Sequence, residues 1–419
     1  MTTLRRNQLT ALAGAIERVA LLDIPADAAL HAFFRAHGEM GARDRAWVAD
    51  GAFAYLRRKR SLEALAQSTQ PRHLALAIAV REFAHSVRDL EPVISAGDAA
   101  WLATFKGRLR ETLPPAVAAD VPDWLWDRLG DVYGDDARAA LTRSWQTVAP
   151  LDLRVNVLKT TRDAALAALS AEGLPAVATP YAPNGIRIDG RPSLATHPWI
   201  VDGRLEVQDE GSQLIGVLVA PRRTDMVVDF CAGAGGKTLL LGAMMRSQGR
   251  LYAFDVVAKR LRRMTPRIAR SGLSNVHPQV IAHERDAKVK RLAGKIDRVL
   301  VDAPCTGFGT LRRNPDLKWR QSPQDLVELV AKQARILAAA ATLVKPGGRL
   351  VYATCSVLPD ENDAIVDAFL RAHDTFAERE AASLLAQAGV PLDTGPRLRL
   401  LPHLHGCDGF FAAVLERGT

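Results

Sequence analysis

The sequence predicts an α/β protein whose larger, C-terminal part is a doubly wound, mainly parallel sheet of the Rossmann type. Three patterns support this fold class. Apolar residues recur at helical spacing up to about residue 140, short strand patterns surround one helix pattern after it, and strands and helices alternate in the second half. We therefore predict an all-helical region at 1–145, a small α+β module at 146–206 and the doubly wound domain at 207–419.

The helical region shows apolar residues on one face of each predicted helix. The clearest segments are 9–21 and 45–56, and Pro114 with Pro115 breaks the pattern further on. The second segment runs into a basic cluster at 57–60. Two interpretations of this cluster stay open: a solvated helix end, which the helix dipole favours, or a patch that contacts phosphates.

The other two parts are predicted from strand patterns. In the module, a strand at 151–156 and a helix at 162–170 precede short strands at 176–178, 185–188 and 205–207. In the domain, strands are predicted at 226–230, 250–254, 276–282, 298–302 and 349–354, with helices at 237–246, 258–271, 323–344 and 360–372. Such alternation with short loops is typical of a doubly wound sheet.

Composition narrows the functional classes. The chain has 419 residues and a formal net charge of +9, which suits a polyanionic partner. Its four cysteines form no CxxC pair, so we expect neither a disulfide framework nor a metal site. Charges interrupt the N-terminal segment, and no uncharged apolar run approaches the roughly 20 residues of a membrane span. We expect a monomeric, cytoplasmic protein without a membrane segment.

Two cysteines stand where predicted strands give way to loops. Cys305 ends the run at 299–305, and Cys355 ends the run at 349–355. Ligands of open α/β sheets bind beyond the carboxyl ends of the strands, so both thiols can reach one substrate. The alternative, two buried cysteines that behave as small hydrophobes, is disfavoured by their matched positions downstream of a glycine-rich loop.

That glycine-rich loop lies at 231–238, between a predicted strand and a predicted helix. It does not fit the dinucleotide-binding pattern GxGxxG. It does not fit the phosphate-binding pattern GxxxxGK[ST] either, because Cys231 stands where that pattern needs its first glycine. About twenty residues after the loop, Asp255 ends the next strand, a spacing that suits a carboxylate gripping ribose hydroxyls. A nucleoside ligand without phosphates fits best, and S-adenosylmethionine is such a ligand.

Two further acids follow successive strands, Asp286 and Asp302. Asp286 either faces the adenosine or caps a turn, and Asp302 stands three residues before the first of the two thiols. We predict one S-adenosylmethionine site formed by Cys231, Ala232, Gly233, Ala234, Gly235, Gly236, Lys237, Asp255, Asp286 and Asp302.

At these residues the chain resembles the Sun (Fmu) family of RNA cytosine-C5 methyltransferases. The runs that carry the resemblance lie at 206–212, 231–238, 302–319, 352–359 and 408–411. The module, with Leu-Arg-Val-Asn at 153–156, resembles that family's RNA-recognition-like subdomain. The helical region resembles its NusB-like domain more faintly, through 43–46 and the helix that follows. The resemblance implies a class I methyltransferase domain that acts on RNA, with 16S rRNA as the partner.

The resemblance also implies roles for the two thiols. C5 of cytosine is a poor nucleophile, and thiolate addition at C6 makes it enamine-like, so that it attacks a methyl sulfonium. Cys355 would add, Cys305 would assist release, and Asp302 would hydrogen-bond the base near N3. DNA cytosine methyltransferases use the Pro-Cys cysteine as nucleophile, so these roles depend on family membership. Lys237 and Lys318 are candidates for the positive neighbour that a thiolate needs, and a solvated or phosphate-binding role is the alternative for each.

The chain departs from the family pattern at three positions. Gly233 and Ala234 replace an alanine and a proline of the loop, and Thr306 replaces the serine after Pro-Cys. The loop keeps both following glycines, so cofactor binding is still expected. Two rival functions remain: methylation of tRNA, and a non-catalytic RNA-binding role in ribosome assembly.

Overall fold

The computed structural model describes residues 4–190 and 192–419, which divide into two compact units. The first unit comprises the described residues up to Val148 together with Leu311–Pro323. The second comprises Ala149–Thr310 and Gln324–Thr419. Each unit has its own hydrophobic core, so each is described by itself.

The first unit is built from helices around one core. Leu9, Leu12 and Ile16 are fully buried and recur at helical spacing, as predicted for this region. A Cβ atom on Gly51 would lie 2.6 Å from Cδ1 of Leu12, so glycine lets two helices approach closely. The helices are α1 (Arg6–Ala20), α2 (Ala26–Ala36), α3 (Ala42–Ala66), α4 (Pro71–Arg81), α5 (Val87–Leu90), α6 (Ala96–Arg108), α7 (Pro115–Ala118) and α8 (Asp123–Trp145).

The second unit begins with a small antiparallel sheet in the order β2-β3-β1-β4. The chain runs β1 (Leu151–Val155), α9 (Arg162–Ala171), β2 (Ala176–Ala178), β3 (Gly185–Ile188), α10 (Pro198–Val201) and β4 (Leu205–Val207). This βαββαβ connection is the split, ferredoxin-like arrangement. The predicted α+β module is confirmed, with strand bounds close to those predicted.

The large sheet has the order β10-β12-β9-β8-β5-β6-β7. Its strands are β5 (Met226–Asp229), β6 (Arg250–Asp255), β7 (Val276–Val280), β8 (Ile296–Asp302), β9 (Val344–Thr354), β10 (Phe376–Arg379), β11 (Leu398–Leu400) and β12 (Phe410–Arg417). The five strands from β7 to β9 pair in parallel, whereas β12 runs antiparallel to β9 and pairs with β10 and β11 on its other edge. The antiparallel strands were not predicted from the sequence.

Helices cover both faces of this sheet. Val227 and Val228 belong to different core clusters, as do Leu300 and Val301, so alternate residues of one strand are buried on opposite faces. The doubly wound fold class is therefore confirmed. The helices of this unit are α11 (Glu210–Val219), α12 (Gly236–Met244), α13 (Ala258–Ser271), α14 (Ala287–Lys290), α16 (Pro323–Ala341), α17 (Asp363–Ala372), α18 (Ala381–Gln387) and α19 (Pro402–His405), whereas α15 (Leu317–Arg320) belongs to the first unit. In the described ranges, no helix is both long and apolar enough to cross a membrane.

The segment that carries α15 belongs to the helical unit although it lies in the second half of the sequence. The ammonium of Lys318 donates to the carbonyl of Arg57 at 2.9 Å, and Nε1 of Trp319 donates to the carbonyl of Leu56 at 2.7 Å. A guanidinium nitrogen of Arg57 donates in turn to the carbonyl of Arg312 at 3.0 Å. From the sequence we expected this segment in the doubly wound domain, but it belongs to the helical unit.

Candidate active site

A cavity of about 290 Å³ lies beyond the carboxyl ends of β5, β6 and β8. The strand order reverses beside β5, because β6 continues the sheet to one side and β8 to the other. In open α/β sheets, ligands bind at such a switch point, where the loops of the two halves part. The cavity is lined by Phe230, Cys231, Gly233, Asp255, Val256, Arg260, Ile281, Glu284, Asp302, Pro304, Lys332 and Ile336.

The glycine-rich loop forms one wall of this cavity, between β5 and α12. Gly233 and Gly235 have φ values of +56° and +89°, a region that glycine enters without steric cost. A Cβ atom on Gly235 would also lie 2.5 Å from Cγ of Met264, so that position needs glycine for space as well. At Gly233, where the family pattern has alanine, the left-handed backbone favours the residue that this chain carries.

Asp255 ends β6, is only 5% exposed and lines the same cavity. Its carboxylate accepts hydrogen bonds from the backbone N–H groups of Gly233 at 2.9 Å and Val257 at 2.7 Å. A guanidinium nitrogen of Arg260 lies 3.8 Å from the same carboxylate. Asp255 therefore holds the glycine loop in place and is itself oriented toward the space where a ligand would lie.

Asp286 does not line the cavity and instead caps the short helix α14. Its two carboxylate oxygens accept the backbone N–H groups of Ala282 at 2.8 Å and Lys288 at 2.9 Å, and these bonds lower its pKa. This is the turn-capping alternative that the sequence left open. Glu284, two residues earlier, lines the cavity in its place. A direct role of Asp286 toward the cofactor stays a prediction.

Lys237 and Asp302 form an ion pair, with 2.8 Å between the ammonium and the carboxylate. Burial disfavours the ammonium, but the charge of Asp302, the hydrogen bond to it and the nearby sulfur of Cys355 outweigh burial and raise the pKa of Lys237. The ammonium also lies 5.3 Å from the ring centroid of Phe410. Lys237 is therefore a persistent cation beside the acid and one of the two thiols.

The two cysteines lie in contact, with 3.4 Å between their Sγ atoms. Asp302 on β8 pairs with Ala353 on β9. Cys305 follows Asp302 by three residues and Cys355 follows Ala353 by two, so the two thiols leave the sheet side by side. The hydrogen bond with Cys355, burial and the charge of Glu361 raise the pKa of Cys305 well above its ordinary value. Cys305 therefore keeps its proton at neutral pH.

The loop after Cys305 is fixed to the loop after Cys355 through a close glycine contact. The backbone N–H of Gly309 donates to the carbonyl of Cys355, and the N–H of Gly409 donates to the carbonyl of Gly309, each at 2.8 Å. A Cβ atom on Gly309 would lie 2.0 Å from the carbonyl oxygen of Gly409, so no other residue fits there. This contact gives the run at 408–411 a physical role beside the thiols.

Two buried acids beside the thiols and the glycine loop were missed by the sequence analysis. Asp229 ends β5 and accepts a hydrogen bond from the hydroxyl of Thr238 at 2.6 Å, and burial raises its pKa to about 7. The pattern of an acid at the end of a strand, which identified Asp255, also applies to Asp229. Glu361 is fully buried and contacts the residues that follow both thiols, and no local sequence pattern marks it.

The structure places two predicted groups of cations within the helical unit. Lys318 was considered as a positive neighbour for a thiol, but it is 1% exposed inside the helical unit, where burial lowers its pKa to about 7. The 57–60 cluster lies at a kink of α3, because Arg58 has non-helical backbone angles (φ −113°, ψ 18°), so one helical segment does end within the cluster. The cations are not solvated as predicted, since each has a partner within the helical unit, and a contact with phosphates stays a prediction. The partners are the carbonyl of Arg312 for Arg57, Glu82 and Gln146 for Arg58, Glu63 for Lys59, and Asp123 for Arg60.

Comparisons with known proteins place the chain in a family. The family described as 16S rRNA methyltransferase RsmB/F matches residues 216–416, and the RsmF/B-like ferredoxin-like domain matches residues 121–195. The crystal structure of PH0851 superposes with a TM-score of 0.81 at 26% identity, covering 99% of this chain and 100% of that one.

Curated relatives carry a consistent name. The probable ribosomal RNA small subunit methyltransferase B of Synechocystis is 35% identical over 300 residues, which are 71% of this chain and 66% of the relative. The ribosomal RNA small subunit methyltransferase B of Sodalis glossinidius is 33% identical over 330 residues, 75% of this chain and 73% of the relative. The chain thus spans about two thirds of the length of these relatives, and it belongs to the RsmB/F family of 16S rRNA methyltransferases.

Proposed function

We propose that this protein transfers a methyl group from S-adenosylmethionine to C5 of a cytosine in 16S rRNA. The observation that carries the proposal is the contact between Cys305 and Cys355, 3.4 Å apart at the ends of adjacent strands, next to the cavity at the switch point. C5 methylation of cytosine needs one group that adds to C6 and a second that assists its release. Two thiols in contact satisfy that need.

The character of the cavity supports S-adenosylmethionine as the cofactor. Apolar side chains, among them Phe230 and Ile281, suit an adenine ring, and Asp255 suits a pair of ribose hydroxyls. Asp255, Glu284 and Asp302 make the wall rich in carboxylates, which suits a sulfonium and opposes a phosphate. Residues 231–237 with these acids would hold the cofactor, which supplies an electrophilic methyl group when bound.

The geometry supports Cys355 as the nucleophile. Its thiolate forms a bond to C6 with its own electron pair, and the electrons of the C5–C6 double bond become available at C5. Lys237 lies on the side of Cys355 and favours the thiolate, while Cys305 keeps the shared proton. Asp302, held by Lys237, is placed to hydrogen-bond the base near N3.

Release reverses the addition after C5 has been methylated. The C5 proton passes to water, its bonding electrons restore the C5–C6 double bond, and the S–C6 bond breaks with its electrons returning to Cys355. The thiol of Cys305 donates a hydrogen bond to the departing sulfur and stabilises it as a thiolate. The same contact that prepares Cys355 for attack thus lowers the barrier to its departure.

The surface of α13 supports an RNA substrate. Lys259, Arg262 and Arg263 are exposed, and within the described residues none of them has a carboxylate in ion-pair distance. Arg260, on the same helix, lines the cofactor cavity. Unpaired cations that begin at the rim of a catalytic cavity suit the phosphates of a nucleic acid.

A matched pair of double variants tests this part of the proposal. Arg262→Gln/Arg263→Gln should weaken binding of rRNA and reduce the slope of log K against log salt by about 1.5, the value for two lost phosphate contacts. Arg222→Gln/Arg223→Gln removes the same charge from exposed residues that precede β5, at the amino end of that strand, and should change neither the affinity nor the salt slope. Equal effects of the two variants would contradict a role for α13.

The remaining parts of the proposal concern organisation. We propose that residues 1–145 form a NusB-like RNA-binding domain, that 146–206 form an RNA-recognition-like module and that 207–419 form the methyltransferase domain, in a monomer that works in the cytoplasm. The names of the curated relatives support 16S rRNA over tRNA as the substrate.

The decisive experiment is a direct assay of the product. Purified protein is incubated with unmodified small-subunit rRNA or tRNA and deuterated S-adenosylmethionine, and nucleosides are analysed by mass spectrometry. Deuterated 5-methylcytidine in rRNA, absent with Cys355→Ala, is expected. Label only in tRNA would establish the rival substrate, and no label in either RNA would favour the non-catalytic assembly role.

A further inference from the structure

Glu361 is a fully buried carboxylate that links the two thiol loops. One oxygen accepts the backbone N–H of Thr306 at 2.8 Å and Nε2 of Gln333 at 2.9 Å. The other accepts the hydroxyl of Thr306 at 2.6 Å and the hydroxyl of Ser356. A carboxylate with four hydrogen bonds in a dry environment is held in one orientation.

The donors of these bonds place Glu361 at the centre of the thiol pair. Thr306 directly follows Cys305, and Ser356 directly follows Cys355. Gln333, on α16, also donates to the carbonyl of Pro304 at 3.0 Å, immediately before Cys305. Through these links one carboxylate fixes both loops with respect to each other, at the point where the sulfur atoms lie 3.4 Å apart.

The charges around the two sulfurs are unequal. Glu361 is among the groups that raise the pKa of Cys305, after the hydrogen bond with Cys355 and burial. Tyr352, on β9, also interacts with Cys305, and burial keeps its phenol neutral by raising its pKa. On the other side Cys355 has the ammonium of Lys237, itself paired with Asp302. The charge of the acid thus acts on Cys305, and the cation interacts with the sulfur of Cys355.

We propose that Glu361 is a positioning residue that decides which of the two thiols keeps the proton. It holds the loops in contact and disfavours a negative charge on Cys305, so that Cys355 is the sulfur that ionises and attacks. The statement that Cys355 attacks RNA rests on the proposed methylation. The division of the proton between the two thiols does not, because it is measurable without RNA.

Glu361→Gln removes the negative charge of the side chain but nearly keeps its shape. The amide oxygen can still accept from the N–H of Thr306 and from Gln333, and the amide N–H₂ can donate to the hydroxyls of Thr306 and Ser356 after these rotate. Glu210→Gln is the matched control: Glu210 is also fully buried and accepts two backbone N–H groups, of Tyr181 at 2.5 Å and Ala182 at 2.9 Å. It lies on α11, and its partners do not include the residues around the thiols.

The experiment measures iodoacetamide alkylation of the full-length protein between pH 6 and 10, with each cysteine quantified by mass spectrometry. In the unaltered protein Cys355 should react faster than Cys305 at pH 7.5. In Glu361→Gln the ratio of the two rates should fall on the order of tenfold, the effect of about one pKa unit at Cys305. A folded Glu361→Gln whose ratio equals that of Glu210→Gln and the unaltered protein would overturn the proposal.

Thr306→Val keeps the proposal testable if Glu361→Gln does not fold. This nearly isosteric change removes one donor from the carboxylate but leaves its charge, which is then less compensated. The rate ratio should rise, opposite to the effect of Glu361→Gln. A ratio that falls or stays unchanged would show that loop geometry alone controls the thiols. Normal 5-methylcytidine formation with such a result would leave the proposed function standing and remove only this inference.

Discussion

Cys305 and Cys355 occupy nearly equivalent places at the ends of β8 and β9, yet their surroundings differ in charge. The charge of Glu361 contributes to an elevated pKa of the first, whereas the second interacts with the ammonium of Lys237. Because a carboxylate opposes a thiolate and an ammonium favours one, equal residues at matched positions receive unequal chemical roles. The neighbours of a thiol, more than its place on a strand, determine what it does.

Replacement of the proposed nucleophile should have the largest effect on the rate of methyl transfer. Cys355→Ala should lower methyl transfer by roughly 10⁴-fold or more, because the remaining thiol, Cys305, has a raised pKa and stays protonated, which makes it a poor nucleophile toward C6. The assay is incorporation of labelled methyl groups into rRNA. Cys407→Ala serves as the control, since Cys407 is buried in the core on one face of the sheet and should leave the rate nearly unchanged. Full activity of Cys355→Ala would contradict the assignment.

Removal of the cation beside Cys355 should have the next largest effect. Lys237→Met should lower the methylation rate by about 10²-fold, the scale of a lost electrostatic contact in a catalytic site. The ammonium favours the thiolate, so without it ionisation requires a higher pH, and the pH of half-maximal rate should rise. Lys237→Arg keeps the charge and should retain the original pH profile better. An unchanged profile in Lys237→Met would mean that the cation does not distinguish the thiols.

A substitution in the wall of the cofactor cavity should not change the relative reactivity of the two thiols. Asp255→Ala should weaken S-adenosylmethionine binding by about 1–3 kcal/mol, or roughly 5–150-fold, because it removes a charged hydrogen-bond acceptor. Calorimetry gives the affinity, and alkylation of Cys305 and Cys355 gives the reactivity of the thiols. The ratio of alkylation rates should equal that of the unaltered protein. Unchanged affinity in the folded variant would remove Asp255 from the cofactor site.

The meeting of the two thiols was predictable because strand ends of a parallel sheet share one edge. Apolar runs that end in a polar residue marked β5, β6, β8 and β9, and the fold class followed from their alternation with helices. The antiparallel strands β10, β11 and β12 escaped prediction because their register depends on pairing with β9 and with each other, and the turns between them carry no strong hairpin signal.

The charges were harder to interpret from the sequence. The 57–60 cluster has the composition of a phosphate patch, but its partners Asp123, Gln146 and Arg312 lie far away along the chain. Glu361 lies 55 residues from Thr306, so its burial and its hydrogen bonds follow only from the folded chain. The thiols and the cation Lys237 were therefore predictable from the sequence, but Glu361 was not.

The most direct test of the unequal roles is the fate of the covalent intermediate. Cys305→Ala and Cys355→Ala are each incubated with rRNA and S-adenosylmethionine, and protein–RNA species are resolved on denaturing gels and identified by mass spectrometry. Cys305→Ala should attack, methylate and then stall, and so accumulate an adduct at Cys355, while Cys355→Ala should form none. An adduct in Cys355→Ala and none in Cys305→Ala would reverse the two roles and contradict the account.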